Sequence, residues 1–529
     1  MAKRTEVQIR PRMTQSRRFA LFVVTALTMV ATLTIVASVA WGAPDPTGAL
    51  TGTAADVPAV TAGQPTLGEL ATEVGHHRAA INMTWAIVAA ALVMFMQAGF
   101  AMVETGLTRA KNAVHTMAMN LAVYGVGMMA FWAVGFALQM GGVGAIGTFM
   151  GPNLLDHEVS VTLGGHAFGL FGAKGFALTG DAVDVGVLAM FVFQMVFMDT
   201  AATIPTGALA ERWRFSAFLL FSVFVAGIIY PIHANWIWGG GWLSTLGKEF
   251  HLGHGVVDFA GSSVVHLTGG ALAFVTCRKI GPRLGRFDSR GRPRPIAAHN
   301  VPMAIIGTII LAFGWFGFNA GSTLAGTDLR LAVVAVNTML ASGAAMVTAM
   351  FYTWKVTGKP DPTLIANGML AGLVAITAPC AFVTPLSAVI IGAVAGVLVI
   401  AAFLAIERRL KIDDPVGACA VHGVCGAFGT LCVGIFADGK YGDGLNGVAG
   451  PVTGVLAGGG FGQLGAQTIG VVTNLAWVAL SGSLAYWVTD RLVGGHRVRK
   501  DVEIEGLDVN EMGLHAYPSE EAHGLGQER

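Results

Sequence analysis

Charged residues are scarce in this sequence. They make up 12% of its 529 residues, whereas 54% are hydrophobic and the mean hydropathy is +0.65. This composition excludes a soluble enzyme, because a water-facing surface needs a larger share of charged side chains. The formal net charge of +1 indicates no particular partner, and we expect no nucleic acid among the partners.

Cysteine is also rare, and the few cysteines present indicate no disulfide framework. The five of them lie in or beside apolar runs: Cys277, Cys380, Cys419, Cys425 and Cys432. Three residues of one segment, Cys419, His422 and Cys425, would spread over about 120° of a helix, so we expect no metal site. The phosphate-binding pattern G-x-x-x-x-G-K-[ST] is missing, and nothing suggests that ATP drives this protein. No cofactor is expected.

Apolar runs of about twenty residues recur along most of the chain, which predicts an all-α integral membrane protein. Seventy-two glycines fit close packing between such helices. Eleven spans are predicted, near 84–106, 117–140, 185–206, 215–236, 258–277, 300–322, 331–354, 363–378, 384–405, 415–436 and 466–489.

The basic residues predict the orientation of these spans. If residue 44 lies outside, the inward loops and the tail contain 21 lysines and arginines, seven of them between Arg278 and Arg294. The outward loops contain four: Lys174, Lys248, Arg330 and Lys440. Cytoplasmic loops carry the excess of such residues, so we expect the C-terminus in the cytoplasm and the protein in the cytoplasmic membrane.

Four regions are predicted. Residues 1–43 join a basic segment to an apolar stretch that ends in small residues, typical of a signal peptide or an N-terminal anchor. Residues 44–80 are interpreted as an extracytoplasmic leader, 81–490 as the membrane domain and 491–529 as a cytoplasmic tail.

Two stretches repeat the pattern D-x-x-G-x-x-x-V-H. Asp258 precedes His266 by eight residues, and Asp414 precedes His422 by the same interval. Eight residues of helix rise about 12 Å, which places a histidine near the middle of a core about 30 Å thick when its aspartate is at the edge. The predicted topology makes the two stretches antiparallel, five spans apart. We therefore expect a five-plus-five inverted repeat with one added span, and a functional histidine pair at its centre.

Aromatic residues and a hydroxyl are predicted to gather near the outer ends of the spans. Phe193 and Phe197 share one helix face, Trp238 closes span four, and Phe318 and Ser322 end span six. Aromatic rings attract small cations, and a molecule that sheds its proton crosses an apolar path as a neutral species. Two imidazoles in contact could pass that proton.

Each residue also has a purely structural explanation. Trp238 fits an aromatic belt at the membrane surface, Phe193 and Phe197 fit helix packing, and Ser322 fits an ordinary helix end. Asp258 fits a helix cap, which its counterpart Asp414 supports.

The chain resembles the ammonium transporter (Amt/Mep/Rh) family, and specifically its bacterial Amt type. The matching stretches are QAGFAMVETGLTRAKNA (97–113), FMDTAATIPTGALAERW (197–213), WGGGW (238–242), DFAGSSVVHL (258–267), GWFGFNAGS (314–322), DDPVGACAVHGVCG (413–426) and EGLDVNEMGLHAYP (505–518).

The resemblance implies a homotrimer in which each subunit has its own path for ammonium or its analogue methylammonium. It implies that Trp238, Ser322 and Phe197 recruit ammonium, that Phe197 and Phe318 form a gate near Phe193, and that His266 and His422 line the pore. Asp258 matches the outer aspartate of the family, and Thr377 matches a threonine near the path. Ammonium would lose its proton near the gate and cross as ammonia.

Three alternatives stay open at this stage. A passive ammonia channel would carry no net charge, and an ammonium sensor would need an output domain that we do not find after span eleven. A membrane cytochrome would use His266 and His422 as haem ligands. The basic loop is expected to follow the positive-inside rule or to attract anionic membrane lipid, with contact to a PII-type signal protein as the alternative. The tail resembles the cytoplasmic tail of the family, which packs under neighbouring subunits.

Overall fold

The structure is a computed structural model, and it describes residues 65–517. The predicted signal peptide or anchor, the start of the leader and the last residues of the tail lie outside the described residues. The helices are α1 (Pro65–Leu107), α2 (Ala113–Ala130), α3 (Phe136–Met140), α4 (Val185–Leu209), α5 (Phe215–Phe224), α6 (Tyr230–Trp238), α7 (Trp242–Phe250), α8 (Thr268–Ile280), α9 (Val301–Asn319), α10 (Leu331–Thr357), α11 (Pro362–Thr377), α12 (Pro385–Arg408), α13 (Cys425–Phe436), α14 (Gly462–Val493) and α15 (Lys500–Glu505).

Short π-helical and 3₁₀ segments continue or connect these helices. The π-helical segments are Phe131–Gly135, Val225–Ile229, Ser262–Leu267, Cys419–Val424 and Asp508–Met512. The 3₁₀ turns are Ala110–Asn112, Gly147–Phe149, Phe176–Leu178, Gly180–Ala182, Ala320–Thr323, Leu445–Gly447 and Val455–Ala457.

Within residues 65–517, nine helical segments are long and apolar enough to cross a membrane, so the chain is a multi-pass membrane protein. Two of the eleven predicted spans are not among these nine segments. One is α11, an apolar helix of 16 residues. The other joins the π-helical turn Ser262–Leu267 to α8, whose last turn carries Arg278 and Lys279 and is therefore less apolar. The number eleven therefore stays a prediction.

Helix α1 extends beyond the N-terminal end of the first predicted span. The sequence predicts a leader over residues 44–80 and a first span near 84–106. Helix α1 begins at Pro65 and continues to Leu107. Alanine and other good helix formers in this stretch let the helix extend beyond its most apolar part.

A β-hairpin that we did not predict lies between the second and third predicted spans. Strands β1 (Glu158–Leu163) and β2 (His166–Gly172) pair antiparallel around a turn at Gly164 and Gly165. Trp236 donates its indole N–H to the carbonyl oxygen of Leu170 at 2.8 Å. The hairpin therefore supports the end of α6, the helix that carries Trp238.

The two segments with the repeated D-x-x-G-x-x-x-V-H pattern cross at the centre of the molecule. The turn Ser262–Leu267 packs against α13, and the turn Cys419–Val424 packs against α8. The first half of each segment therefore meets the second half of the other, which is an antiparallel arrangement. Glycine allows the close approach: a Cβ at Gly270 would strike the backbone of Gly423, and one at Gly426 would strike the backbone of Leu267.

Buried ion pairs join the loops at the end predicted to be cytoplasmic. The Arg283 guanidinium donates to both carboxylate oxygens of Asp413 at 2.9 Å and to Glu211 at 2.8 Å, and Arg109 donates to the other oxygen of Glu211. Burial alone would raise the pKa of Asp413, but the guanidinium groups of Arg212 and Arg283 hold this pKa well below its ordinary value.

The tail packs against the same end of its own chain. Leu507 donates its backbone N–H to Asn112 Oδ1, and Asp508 Oδ1 accepts the backbone N–H of His115, both at 2.9 Å. Glu511 accepts the N–H of Phe215 at the start of α5, also at 2.9 Å. These contacts place residues 507–511 over the ends of α2 and α5.

Candidate functional site

A cavity of about 630 Å³ opens at the end of the molecule that is predicted to face outside. Trp238, Asp258 and Ser322 line it, together with the segment that follows α13, including Lys440 and Asp443. We call this cavity the vestibule. Trp238 donates its indole N–H to the carbonyl oxygen of Asp258 at 2.7 Å, and the Ser322 hydroxyl donates to the carbonyl of Phe318 at 2.8 Å. Three of the predicted site residues, Trp238, Asp258 and Ser322, therefore line the same cavity.

The Asp258 carboxylate caps the turn that follows it. One oxygen accepts the backbone N–H groups of Gly261 and Ser262, at 2.8 and 2.9 Å. The other accepts those of Ser263 and Val264, at 2.7 and 2.9 Å. Gly261 has φ of 116°, a left-handed conformation that favours glycine and turns the following N–H groups towards the carboxylate.

Asp414 caps its own turn in the same way. Its carboxylate accepts the backbone N–H groups of Val416, Gly417 and Cys419, and Gly417 has φ of 81°. The aspartate and the glycine of the repeated pattern thus have a local structural role in both halves, as the capping alternative predicted for Asp258.

Three phenylalanines close the floor of the vestibule. The ring of Phe197 lies between those of Phe193 and Phe318, with centroids 4.6 and 4.2 Å away. Trp238 meets Phe197 edge-on, with centroids 6.0 Å apart and planes at 79°. All three phenylalanines are at least 98% buried. The residues predicted as a gate are therefore in contact and block the apolar path below the vestibule.

The two histidines lie directly beyond this barrier. His266 stacks on Phe318 at 5.3 Å between centroids and on His422 at 5.2 Å. The Nδ1 atoms of the two histidines are 3.2 Å apart, so one donates a hydrogen bond to the other. His266 Nε2 is buried and has no partner among residues 65–517. The rings of Trp238, Phe197, Phe318, His266 and His422 therefore form one continuous series from the vestibule to the centre.

Thr377 acts through a residue that the sequence analysis did not single out. Trp315 donates its indole N–H to Thr377 Oγ1 at 3.0 Å, and its ring stacks on His266 with centroids 5.2 Å apart and planes at 19°. Thr377 thus orients Trp315, and Trp315 orients the His266 ring. A tryptophan seven residues before Ser322 on the same helix was the signal available in the sequence.

Ser262 fixes the backbone around the first histidine. Its hydroxyl donates to the carbonyl of Val374 at 2.7 Å and accepts the N–H of Ala378 at 2.7 Å. The turn that carries His266 is thereby tied to α11, the short helix that ends at Thr377.

Metal ligands do not cluster in the part of the chain that the structure describes. The five cysteines, all within residues 65–517, are buried and unpaired. Neither observation indicates a metal site or a disulfide beside the site described above.

Residues 84–517 match the Ammonium Transporter Family. The chain belongs to this family. It is 46% identical to the ammonium transporter Amt2 of Archaeoglobus fulgidus over 444 residues, which covers 83% of this chain and 88% of the relative. It is 37% identical to the ammonium transporter Amt1 of Haloferax mediterranei, over 83% and 79% of the two chains. The resemblance found from the sequence motifs is confirmed.

Solved structures show the same fold. A chain described as a sensor Amt protein has a TM-score of 0.70 and 37% identity, and the match covers 82% of this chain and 99% of that one. Mep2 of Candida albicans has a TM-score of 0.66 and 27% identity, over 80% and 87%. The chain is an ammonium transporter with the fold of that family, and not an enzyme.

Proposed function

We propose that the protein recruits ammonium in the vestibule, removes its proton at the phenylalanine barrier and conducts ammonia past the two histidines into the cytoplasm. The observation that carries this proposal is the unbroken ring series from Trp238 to His422. Within the described residues, no lysine or arginine side chain is placed along that series. A cation that keeps its charge would lose its hydration there without replacement.

Recruitment uses the wall of the vestibule. The face of Trp238 attracts a cation, Ser322 supplies a hydroxyl oxygen, and the edge of Phe197 completes the floor. Asp258 has all its carboxylate lone pairs engaged with backbone N–H groups, so its part is to hold Trp238 and the turn before His266 in position.

Conduction uses the gate and the histidine pair. Phe197 and Phe318 move apart to admit the molecule, and Phe193 supports Phe197 from the side. Neutral ammonia then exchanges hydrogen bonds with His266 and His422, which accept or donate through their ring nitrogens. The pair at 3.2 Å also offers a route for the released proton.

We further propose a homotrimer in the plasma membrane, with the vestibule outside and the C-terminus in the cytoplasm. The distribution of basic residues supports the orientation. Exposed apolar residues on α10 and α12, including Phe351, Leu386 and Val394, offer surfaces for lipid or neighbouring subunits. Residues 1–43 would direct the chain to the membrane and be removed or retained as an anchor. Residues 44–80 would be the leader, 81–490 the membrane domain and 491–529 the tail.

A PII-type signal protein is the partner proposed for the cytoplasmic face. The loop from Arg278 to Arg294 and the packed tail lie together there, joined by the hydrogen bond from Leu284 N–H to Glu503 at 2.7 Å. The two proteins should co-purify under nitrogen sufficiency, and failure to do so would remove this partner.

Sensing is the second candidate function, favoured by the match to the sensor Amt chain. The experiment that separates the candidates is an ammonium jump on liposomes with the purified protein, on a solid support at fixed pH. A saturable current that disappears in the His266/His422 double variant supports electrogenic transport. A rise of internal pH without current indicates a passive ammonia path. If neither a current nor a rise of internal pH appears, transport is overturned and sensing remains.

A further inference from the structure

A buried carboxylate lies beyond the histidine pair and has no part in the function described so far. Glu104, near the end of α1, is 3% exposed. Both of its oxygens lie within hydrogen-bond distance of the Thr206 hydroxyl, at 2.8 and 2.7 Å, and one accepts from Asn120 Nδ2 at 2.7 Å. These donors are neutral, and no lysine, arginine or histidine within residues 65–517 forms an ion pair with Glu104. A buried carboxyl group with neutral partners is suited to taking up a proton.

Glu104 and His422 line the same small cavity. Its remaining wall is apolar except for Asn367, and it includes Phe100 and Val416. The Asn367 amide donates to the carbonyl of Val416 at 3.0 Å, so this group is already engaged. The cavity measures about 20 Å³, which is room for about one water molecule.

The cavity contacts His422 but neither His266 nor the phenylalanines of the gate. Phe100, which lines it, contacts the His422 ring at 6.1 Å between centroids, whereas Phe318 contacts His266. Val416 in the same wall donates its N–H to Asp414 at 3.3 Å, and Asp414 starts the predicted span at the cytoplasmic side. The position of Glu104 is therefore between the histidine pair and the proposed exit.

We propose that Glu104 is the inner proton acceptor of the conduction path. This inference rests on the proposed function, in which ammonium releases a proton at the gate. The proton reaches His422 through His266, which leaves an imidazolium at His422. Transfer through a single water in the cavity converts His422 to neutral imidazole and the Glu104 carboxylate to the carboxylic acid. Release of the same proton to the cytoplasm restores the carboxylate.

Gly207 of α4 packs directly against the side chain of Glu104. A Cβ added at Gly207 of α4 would lie 2.7 Å from Glu104 Cγ and 2.8 Å from Cδ. Such distances are too short for carbon atoms in contact, so an alanine there forces the carboxyl group to move. Gly207→Ala therefore displaces the group without removing it.

The test compares current with ammonia flux in liposomes. We expect Glu104→Gln, which keeps the size of the side chain but cannot take up the proton, to lower the ammonium current at least tenfold. Ammonia flux, followed with isotopically labelled ammonium, should fall less than threefold, and the internal pH should rise more than in the wild type because ammonia then enters without the proton. Glu104→Asp should restore part of the current, and Gly207→Ala should lower it.

A neighbouring polar residue supplies the control. Gln97 donates to the carbonyl of Asn120 at 2.6 Å and to Thr203 at 2.7 Å but does not line the cavity. Gln97→Met should keep the wild-type ratio of current to ammonia flux. If Gln97→Met and Glu104→Gln lower the ratio of current to ammonia flux equally, Glu104 has only a structural role.

The outcomes also separate this inference from the proposed function. A wild-type current that Glu104→Gln leaves within twofold overturns the role of Glu104 alone. A wild type that takes up ammonia without current also overturns the role of Glu104 but leaves ammonia conduction, and a wild type with neither current nor ammonia flux overturns both. If Glu104→Gln is not recovered folded, ammonium-induced difference infrared spectra of the wild type replace it. A protonated-carboxyl band that shifts in Thr206→Val supports the inference, and its absence from the wild type overturns it.

Discussion

The indole N–H of Trp238 donates to the backbone carbonyl of Asp258, and this 2.7 Å hydrogen bond joins the vestibule to the turn that carries His266. The aromatic residue at the mouth and the histidine at the centre thus belong to one hydrogen-bonded unit.

Trp238→Leu should weaken apparent affinity more than it weakens folding. Loss of a cation–π contact of about 0.5–2 kcal/mol raises the half-saturating ammonium concentration by about 2- to 30-fold. Concentration-dependent currents measure this change. Trp242→Leu is the matched control, because Trp242 packs on Trp236 and Phe168 instead of lining the vestibule. Equal effects of both variants on affinity would favour the aromatic-belt explanation of Trp238.

Asp258→Asn should abolish conduction nearly as completely as Asp258→Ala. Both carboxylate oxygens accept backbone N–H groups, and the asparagine amide would present a donor to two of them. Buried donors left without a partner cost about 1–3 kcal/mol each. Normal conduction by Asp258→Asn would show that one acceptor is enough. Asp414→Asn, which disturbs the equivalent cap, tests the same argument in the second half.

His266→Asp or His422→Asp should change selectivity or charge movement. A carboxylate in place of an imidazole adds a negative charge to an otherwise neutral path, which favours cations over neutral ammonia. Ammonium and potassium currents in liposomes measure the effect. Transport that is unchanged in both variants would exclude the histidines from the mechanism. A purified protein without a visible absorption band would dispose of the haem alternative for the same pair.

Glu158 should make the wild type less stable as the pH rises from about 4.5 to about 7. Burial raises the pKa of this carboxyl group from 4.5 to about 7, against a hydrogen bond from Asn235 that lowers it. Between these values the folded protein holds a proton that the unfolded chain has lost, so its contribution to stability decreases through that window. Thermal unfolding should show a flatter pH profile in Glu158→Gln. An unchanged pH profile in Glu158→Gln would contradict this contribution of the carboxyl group.

Asp413→Asn should destabilise the end of the protein that carries the basic loops. The Arg283 guanidinium would keep a buried positive charge with one carboxylate partner fewer, and breaking such a pair costs about 3–5 kcal/mol. Melting of the purified protein measures the loss. Asp501→Asn breaks an exposed pair with Arg499 and should change the melting temperature little. Similar shifts in both variants would contradict a special role for the buried pair.

The general plan of the molecule was predictable from the sequence because hydrophobic length and repeated motifs are local signals. Nine of the predicted spans correspond to long apolar helices within residues 65–517, and the two patterned stretches meet through His266 and His422. The rings of the predicted site residues are in contact, and their functional roles stay proposals.

Tertiary contacts decided what the sequence could not show. Trp315 orients His266 only because Thr377, from a separate helix, receives its N–H. Glu104 meets the cavity of His422 only where α1 and α4 come together at Gly207. The hairpin at Glu158 was missed because its strands alternate weakly and lie between two strong helical signals.

The crossing of the two histidine segments is one contact made twice, since Gly270 and Gly426 each meet the residue after the other segment's histidine. A half-length ancestral chain could make that contact with its own antiparallel copy, and any substitution would then alter both ends of the path together. With both halves in one chain, each end of the path can change separately. Ser262 and Ser263 in one half correspond to Ala418 and Cys419 in the other, so the two halves differ at equivalent positions beside their histidines.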